Sequence, residues 1–353
     1  MSDSDYDRKS CEAILGREWP RLLETAEAWI KAEPGEPVAR LALIIGFLLQ
    51  GNYREAYAHH ELLFSSREGD DPASTIQAHE ARLRAFAERL VKDHPESPGP
   101  RLFLGLTLAQ AGDLEGAIRE YKVEARLEPQ DAFPHYFQGQ AHQALGRLDM
   151  AIRGYREAVK LAPQDVRMRL NLGSACHLQG NLETAIAQYR EAIKLNPSDP
   201  LLHYNLGLVL SDQGRLEPAI AAYKESARLN PEDALVHYAL GLVQETKGSF
   251  SQAIAEFEAA VRLAPTLAMA YTRLGWIHYN QRKVPQAAEA FEKAVQCDGK
   301  DPHALHGLGL TKLAMRKEEE AVDLLRQAFS LEERPDRKNL IRGVLVRVGA
   351  AMP

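Results

Sequence analysis

The chain has 353 residues, of which 45% are hydrophobic and 26% are charged, and this balance excludes wholesale disorder. Its formal net charge of −6 argues against a nucleic-acid binder, which needs a basic face to neutralise phosphates. The three cysteines, Cys11, Cys176 and Cys297, lie far apart and exclude both a disulfide framework and a cysteine-type zinc site.

The polar, acidic start of the chain shows no signal peptide, and no apolar run is long enough to span a membrane. The cysteine usage fits a reducing compartment. We therefore expect a cytoplasmic protein without an integral membrane segment and without a nucleic-acid partner.

Residues 1–97 are helical by pattern but irregular. The stretch HPESPGP at 94–100 holds three prolines and a glycine and predicts a boundary or hinge. This region carries the net charge of the chain, with 18 acidic against 12 basic residues, whereas the remaining 31 acidic and 31 basic residues cancel. An acidic docking lobe and a solvated helical face both explain this imbalance.

From residue 98 onward the sequence repeats every 34 residues. The prolines of the series are Pro95, Pro129, Pro163, Pro197, Pro231 and Pro265. One glycine series is Gly105, Gly139, Gly173, Gly207, Gly241, Gly275 and Gly309, and a second is Gly112, Gly146, Gly180, Gly214 and Gly248. The alanines are Ala117, Ala151, Ala185, Ala219, Ala253, Ala287 and Ala321. Proline ends a helix, and small residues let two helices approach closely. The spacing of these residues therefore predicts a pair of packed helices in each unit.

This pattern resembles the tetratricopeptide repeat (TPR) family, whose 34-residue helix–turn–helix unit reads W-x2-L-G-x2-Y…A-x3-F…P. The segment YNLGLVLSDQGRLEPAIAAYKESARLNP at 204–231 carries most of it. The resemblance implies an all-α, right-handed TPR solenoid of seven units over 98–335, preceded by an irregular, partly repeat-like region over 1–97. The array is also similar to the TPR superhelix of O-linked N-acetylglucosamine transferases, without a catalytic domain.

Two features distinguish the end of the array. Arg282 and Arg316 replace the glycine that ends the first helix of a unit, so we expect their turns to differ from the others. The tail at 336–353 has apolar residues at helical spacing and predicts a capping helix over the last repeat. A short basic helix on a membrane surface is the alternative.

The TPR resemblance also implies a binding site. In that family, side chains at positions 2, 5, 6, 9, 12 and 13 of each unit's first helix line a concave groove that holds peptides. The groove residues implied here are Tyr136, Gln140, Arg167, Asn171, Tyr204, Asn205, Tyr238, Arg273, Trp276 and Tyr279. The residue types of the family's two-carboxylate clamp are missing at the corresponding positions.

Asn171 and Asn205 stand at the same position of successive units, which resembles the asparagine ladder of the transferases. An asparagine amide can donate to and accept from a peptide backbone irrespective of its sequence. Drift of the frequent NLG motif is the alternative explanation for this pair.

Signatures of chemistry are missing from the sequence. It contains no GxxxxGK[ST] phosphate loop, no GxSxG elbow and no HExxH zinc motif. His135, His203 and His237 are one repeat apart, too far to share a metal ion. We expect no enzyme activity, no cofactor and no metal.

The sequence therefore predicts a non-catalytic protein–protein interaction scaffold or adaptor, which binds a peptide or helix segment of a partner in the concave groove. Two alternatives stay open: a self-assembling homo-oligomeric scaffold, and a targeting or regulatory subunit of a separate enzyme. The sequence does not name the partner.

Overall fold

The computed structural model describes residues 18–32 and 87–350 continuously, together with isolated positions between residues 9 and 85. Within these residues every regular element is an α-helix, and none is a strand. None of the helices in this part of the chain combines the length and the apolar character that crossing a bilayer requires. The hinge predicted at 94–100 is an irregular turn that leads into a helix beginning at Pro100.

The chain divides into two compact units, residues 1–195 and 196–353. The helices of the first unit are α1 (Trp19–Ala32), α2 (Pro100–Gln110), α3 (Leu114–Leu127), α4 (Ala132–Ala144), α5 (Leu148–Leu161), α6 (Val166–Leu178) and α7 (Leu182–Leu195). Those of the second are α8 (Pro200–Asp212), α9 (Leu216–Leu229), α10 (Ala234–Thr246), α11 (Phe250–Leu263), α12 (Ala268–Asn280), α13 (Val284–Cys297), α14 (Pro302–Ala314), α15 (Glu318–Leu331) and α16 (Pro335–Arg347).

Inside each unit the helices from α2 onward pack in sequence order, the first helix of a repeat (helix A) on its second (helix B), and helix B on the next helix A. This arrangement confirms the predicted fold class, an all-α TPR solenoid. The division between the units falls near the end of the third predicted repeat, inside the array. The boundary predicted at residue 97 stays a prediction.

Helix A begins where the repeat register places it because an aspartate caps it. The caps of α4, α6, α8, α10 and α14 are Asp131, Asp165, Asp199, Asp233 and Asp301, each accepting the backbone N–H two residues later. This bond satisfies one of the N–H groups that a helix start leaves unpaired. The N–H of Gly99, before α2, instead donates to Oε1 of the buried Glu124 at 2.7 Å.

The contact between helix A and helix B is a glycine facing a ring. A Cβ atom on Gly207 would lie 2.6 Å from a ring carbon of Tyr223, which is almost fully buried. The same pairing joins Gly105 to Tyr121, Gly139 to Tyr155, Gly173 to Tyr189, Gly241 to Phe257 and Gly275 to Phe291, and Gly309 faces Leu325. The glycine therefore provides the space that the ring occupies.

Helix A ends in a residue with left-handed backbone conformation. In five turns this residue is a glycine with φ of 72° to 83°: Gly112, Gly146, Gly180, Gly214 and Gly248. Arg282 and Arg316 hold the same conformation, with φ of 60° and 62°, so our expectation that their turns differ is wrong. The N–H of Lys283 still reaches the carbonyl of His278 at 2.9 Å, closing the helix end as in the glycine turns.

The C-terminal helix α16 packs its inner face on the last repeat. Ile341 and Leu345 are buried in one apolar cluster with Leu305, Leu325 and Ala328. Its outer face exposes Leu340 and Val346.

Replacing Gly207 with leucine tests the helix A–helix B contact. We expect Gly207→Leu to displace the Tyr223 ring and to lower the free energy of unfolding by about 1–3 kcal/mol or more, measured by chemical denaturation. Gly343→Ala is the matched control, because no atom lies within 4 Å of its added Cβ and alanine is the better helix former. Equal stability of Gly207→Leu and the wild type would contradict the contact.

Restoring glycine at the two arginine turns tests the strain in them. Left-handed conformation costs a non-glycine residue about 1–2 kcal/mol, partly offset by the greater freedom of glycine in the unfolded chain. We expect Arg282→Gly and Arg316→Gly each to raise the melting temperature. Gln281→Gly is the control, since Gln281 has φ of −82°, and it should lower the melting temperature. A lower melting temperature for both arginine variants would show that these turns are unstrained.

Candidate peptide-binding site

In the first unit, three of the predicted groove residues form one hydrogen-bonded cluster. The Tyr136 hydroxyl accepts from Nδ2 of Asn171 at 2.7 Å and lies 3.1 Å from Nε2 of Gln140, which also donates to it. Gln140 and Asn171 are half-buried and line a surface cavity together with Gln143 and Leu178. The amides of this cavity therefore stand in fixed positions.

Tyr136 itself differs from its predicted placement in the groove wall. Its side chain is in the core, with 2% of the residue exposed, and its ring packs against Tyr155 with centroids 5.9 Å apart. Its hydroxyl contributes to the cavity only indirectly, by accepting hydrogen bonds from Asn171 and Gln140.

Arg167, the fourth predicted residue of this unit, is held by its own repeat. Its Nη2 lies 2.5 Å from Oδ2 of Asp165, and its Nε lies 3.0 Å from Oδ1 of the same carboxylate. The guanidinium also stands 5.5 Å from the centroid of the Phe133 ring. Because Asp165 neutralises it, this arginine has little charge to offer a ligand.

In the second unit, the predicted aromatic residues rest on buried rings of the core. Tyr204 lies over Tyr223 and Tyr238 over Phe257, with centroids 5.7 Å apart in both pairs. Trp276 stands edge-on to Phe291 at 5.4 Å. The three outer rings are half-buried, whereas the three inner rings have at most 1% exposed surface. One face of α8, α10 and α12 therefore presents a row of partly exposed rings.

The structure brings Tyr238, Arg273 and Trp276 together around a cavity of about 630 Å³ between α10, α12, α14 and α16. Tyr279 lies beside Trp276, with ring centroids 6.0 Å apart. Tyr204 and Asn205 are half-buried on α8 and do not line this cavity. The predicted residues of this unit thus share a face without meeting at one point.

The predicted list of groove residues left out two parts of this surface. The second residue of helix A, one of the groove positions, is Leu201 in α8, Leu235 in α10 and Met269 in α12, and each is 49% exposed. The same position supplied Arg167 to the list, so the 34-residue spacing could have added these three. Arg337, which also lines the cavity, lies on α16 outside the repeats, and no spacing rule predicts where the tail helix packs.

Two observations bear on the ionisable side chains of the described residues. Burial raises the pKa of the Cys176 thiol, which keeps it protonated and unreactive at neutral pH. In the part of the chain that the structure describes, no three His, Cys, Asp or Glu side chains are grouped to hold a metal ion.

His306 is a half-buried base whose Nε2 atom is shielded from solvent and has no hydrogen-bond partner in the described part of the chain. Burial lowers its pKa to about 4, and its ring stands edge-on to Trp276 with centroids 5.7 Å apart. It is therefore neutral at physiological pH and acts as part of the support under Trp276.

Family models match most of the array. Models described as "Tetratricopeptide repeat" match residues 83–132, 132–165, 204–268 and 250–302, and one described as "TPR repeat" matches 173–214. Together these matches span more than half of the 353 residues. The chain belongs to the tetratricopeptide repeat family.

Solved structures place the TPR chain among proteins of the same fold. The C-terminal part of a TPR repeat-containing protein from Cytophaga hutchinsonii is 15% identical, with a TM-score of 0.56, and the match covers 67% of this chain and 97% of that one. The anaphase-promoting complex hetero-tetramer Cut9–Hcn1 is 16% identical, with a TM-score of 0.51 and coverage of 95% and 66%. YrrB, described as a TPR protein with an unusual peptide-binding site, is 18% identical, with a TM-score of 0.48 and coverage of 52% and 95%. Among curated protein sequences, none matches this one.

The lowered pKa of His306 predicts a loss of stability in acid. A histidine whose pKa is lower in the folded than in the unfolded protein favours unfolding once it is protonated. His306 therefore does not reduce the free energy of unfolding above about pH 6.5, and it reduces this free energy increasingly as the pH falls towards about 4. From about pH 7.5 to about pH 5, we expect His306 to cost at most about 2 kcal/mol.

Denaturant unfolding at both pH values measures this cost as the difference between wild type and His306→Phe, which keeps an aromatic ring against Trp276. The subtraction removes the contributions of His142, His278 and His303, whose pKa values burial also lowers. Identical pH dependence of the two proteins would show that His306 is not buried.

Proposed function

We propose that the TPR chain is a non-catalytic interaction scaffold that binds a segment of a partner protein on the helix A faces. The observation that carries this proposal is the row of outer rings, Tyr204, Tyr238 and Trp276. Each rests on a buried ring of the core and still exposes part of its own surface, which a partner can cover. Rigid, half-exposed aromatic side chains are typical anchors of protein interfaces.

Polar groups on the helix A faces of each unit support peptide binding in particular. Asn171 and Gln140 in the first unit and Asn205 in the second are half-buried amides, which can bond a peptide backbone through both donor and acceptor atoms. In the part of the chain that the structure describes, the Asn205 side chain has no hydrogen-bond partner. The balance of charge favours a protein rather than a nucleic-acid partner.

The proposal includes a cytoplasmic location. It is supported by the three widely spaced cysteines, two of which, Cys176 and Cys297, are free thiols, as expected in a reducing compartment.

Affinity capture with matched variants tests the binding function. We expect Asn171→Ala, Asn205→Ala and Trp276→Ala, combined in one variant, to lose the partners that the wild type captures from a lysate of the source organism. Because Trp276 packs on Phe291 and Asn171 is bonded to Tyr136, the melting temperature should fall, and circular dichroism must show that the variant is still folded.

The control for this capture carries Arg190→Ala, Gln252→Ala and Gln286→Ala, three exposed residues on helix B. It should retain the same partners as the wild type. If the groove variant captured the same proteins as the control, the helix A faces would not be the binding site.

A further inference from the structure

We propose that the second unit recognises a linear acidic–apolar peptide. The apolar side chains of the peptide lie along Leu201, Leu235 and Met269, and the carboxylate of the peptide lies between Arg273 and Arg337. This inference rests on the proposed function and names the chemistry of the partner for the same surface.

The apolar part of the site is a periodic row. Single exposed apolar side chains are ordinary on a protein surface, but Leu201, Leu235 and Met269 occupy the same position of three successive repeats. Each is 49% exposed, although each stands on a helix whose other residues fill the core. A row of this kind is a surface that a partner can cover.

The row favours an extended partner. Its three members lie on the helix A of three successive repeats, so one linear segment that crosses these helices can contact all three in turn.

The cavity at the end of the row carries two arginines on different helices. Met269, Arg273 and Arg337 line it together, with His303 among them. Nη1 of Arg337 lies 3.4 Å from Nδ1 of His303, a neutral acceptor, and in the described part of the chain no carboxylate lies within ion-pair distance of this guanidinium. Nη1 of Arg273 is 3.6 Å from Oε2 of Glu245, which is a loose pair.

His303 lines the same cavity as the two arginines. Burial lowers the pKa of this histidine, and Arg337 lowers it further, against an opposite effect of Asp301 and Glu332. The ring is therefore neutral at physiological pH and adds no charge to the cavity.

The acidic residues of the cavity accept hydrogen bonds from neighbouring neutral groups. Asp301 accepts the His303 backbone N–H at 2.9 Å and the Thr272 hydroxyl at 3.0 Å. Asp298 accepts the Lys300 N–H at 2.9 Å. In the described part of the chain neither carboxylate forms an ion pair with Arg273 or Arg337. Arginine binds a carboxylate through paired hydrogen bonds, so a ligand carboxylate would be recognised by this geometry and not by an excess of positive charge.

Selection from a library of random linear peptides, long enough to span three repeats, tests this inference with the full chain immobilised. We expect the wild type to enrich peptides with several apolar residues and an aspartate or glutamate at one end. Arg273→Gln with Arg337→Gln should abolish the acidic preference and keep the apolar one. Leu201→Ser, Leu235→Ser and Met269→Ser together should do the reverse. The matched control, Arg215→Gln with Arg262→Gln, changes two exposed arginines outside the cavity and should select as the wild type does.

A second measurement compares one enriched peptide with its amide version, glutamate replaced by glutamine, by calorimetry. The wild type should bind the acidic form about tenfold more tightly, and the double-glutamine variant should bind both forms equally. Enriched peptides without acidic residues, or an acidic preference that survives in the double-glutamine variant, would overturn the inference and leave the binding function standing. If the folded wild type enriched no peptide at all, the proposed function would fail as well.

Discussion

The fold depends on one contact, in which a glycine of helix A faces a ring of helix B. Without a Cβ at Gly207, Gly241 or Gly275, the ring of helix B lies directly against the backbone of helix A. An aromatic residue of helix A can then pack against this buried ring from the outside. Tyr204, Tyr238 and Trp276 occupy that place. The proposed binding surface thus follows from the close helix packing, because the glycine that lets helix B approach helix A also determines where the outer ring lies.

Much of this architecture could be predicted from the sequence, because each repeat carries its own signals. Helix A begins at Ala132, Val166, Pro200, Ala234, Ala268 and Pro302, the first residues of the predicted units. The aspartate before most of these helices and the left-handed residue after them are local features that a 34-residue period reveals. Arg282 and Arg316 show the limit of local reasoning, since the packing of helix A on helix B imposes the left-handed turn on a residue that disfavours it.

The site was less predictable than the fold because it depends on how side chains share space. Tyr136 stands at a groove position of its repeat, yet its ring is drawn into the core beside Tyr155 and only its hydroxyl reaches the surface. The residues around a side chain decide how far it is buried, and its position in the repeat does not determine these neighbours. Arg337 shows the opposite case, since it joins the cavity from a helix that the repeat period does not cover.

The two units differ in whether the polar side chains on their helix A faces already have hydrogen-bond or ion-pair partners within the protein. In the first unit, Asn171 is bonded to Tyr136 and Arg167 to Asp165. A ligand must replace these bonds to use those groups, and an exchange of hydrogen bonds gains little net free energy. In the second unit, Arg337 has a neutral histidine for a neighbour and Arg273 a loosely placed carboxylate. Both residues stand on helices that line one cavity, and neither has a close ion pair with a carboxylate of the described chain. A carboxylate ligand would therefore form charge-assisted hydrogen bonds that replace no strong bond within the protein. The second unit therefore has more binding free energy to offer, and the amides of the first are better suited to hold a backbone in place than to select it.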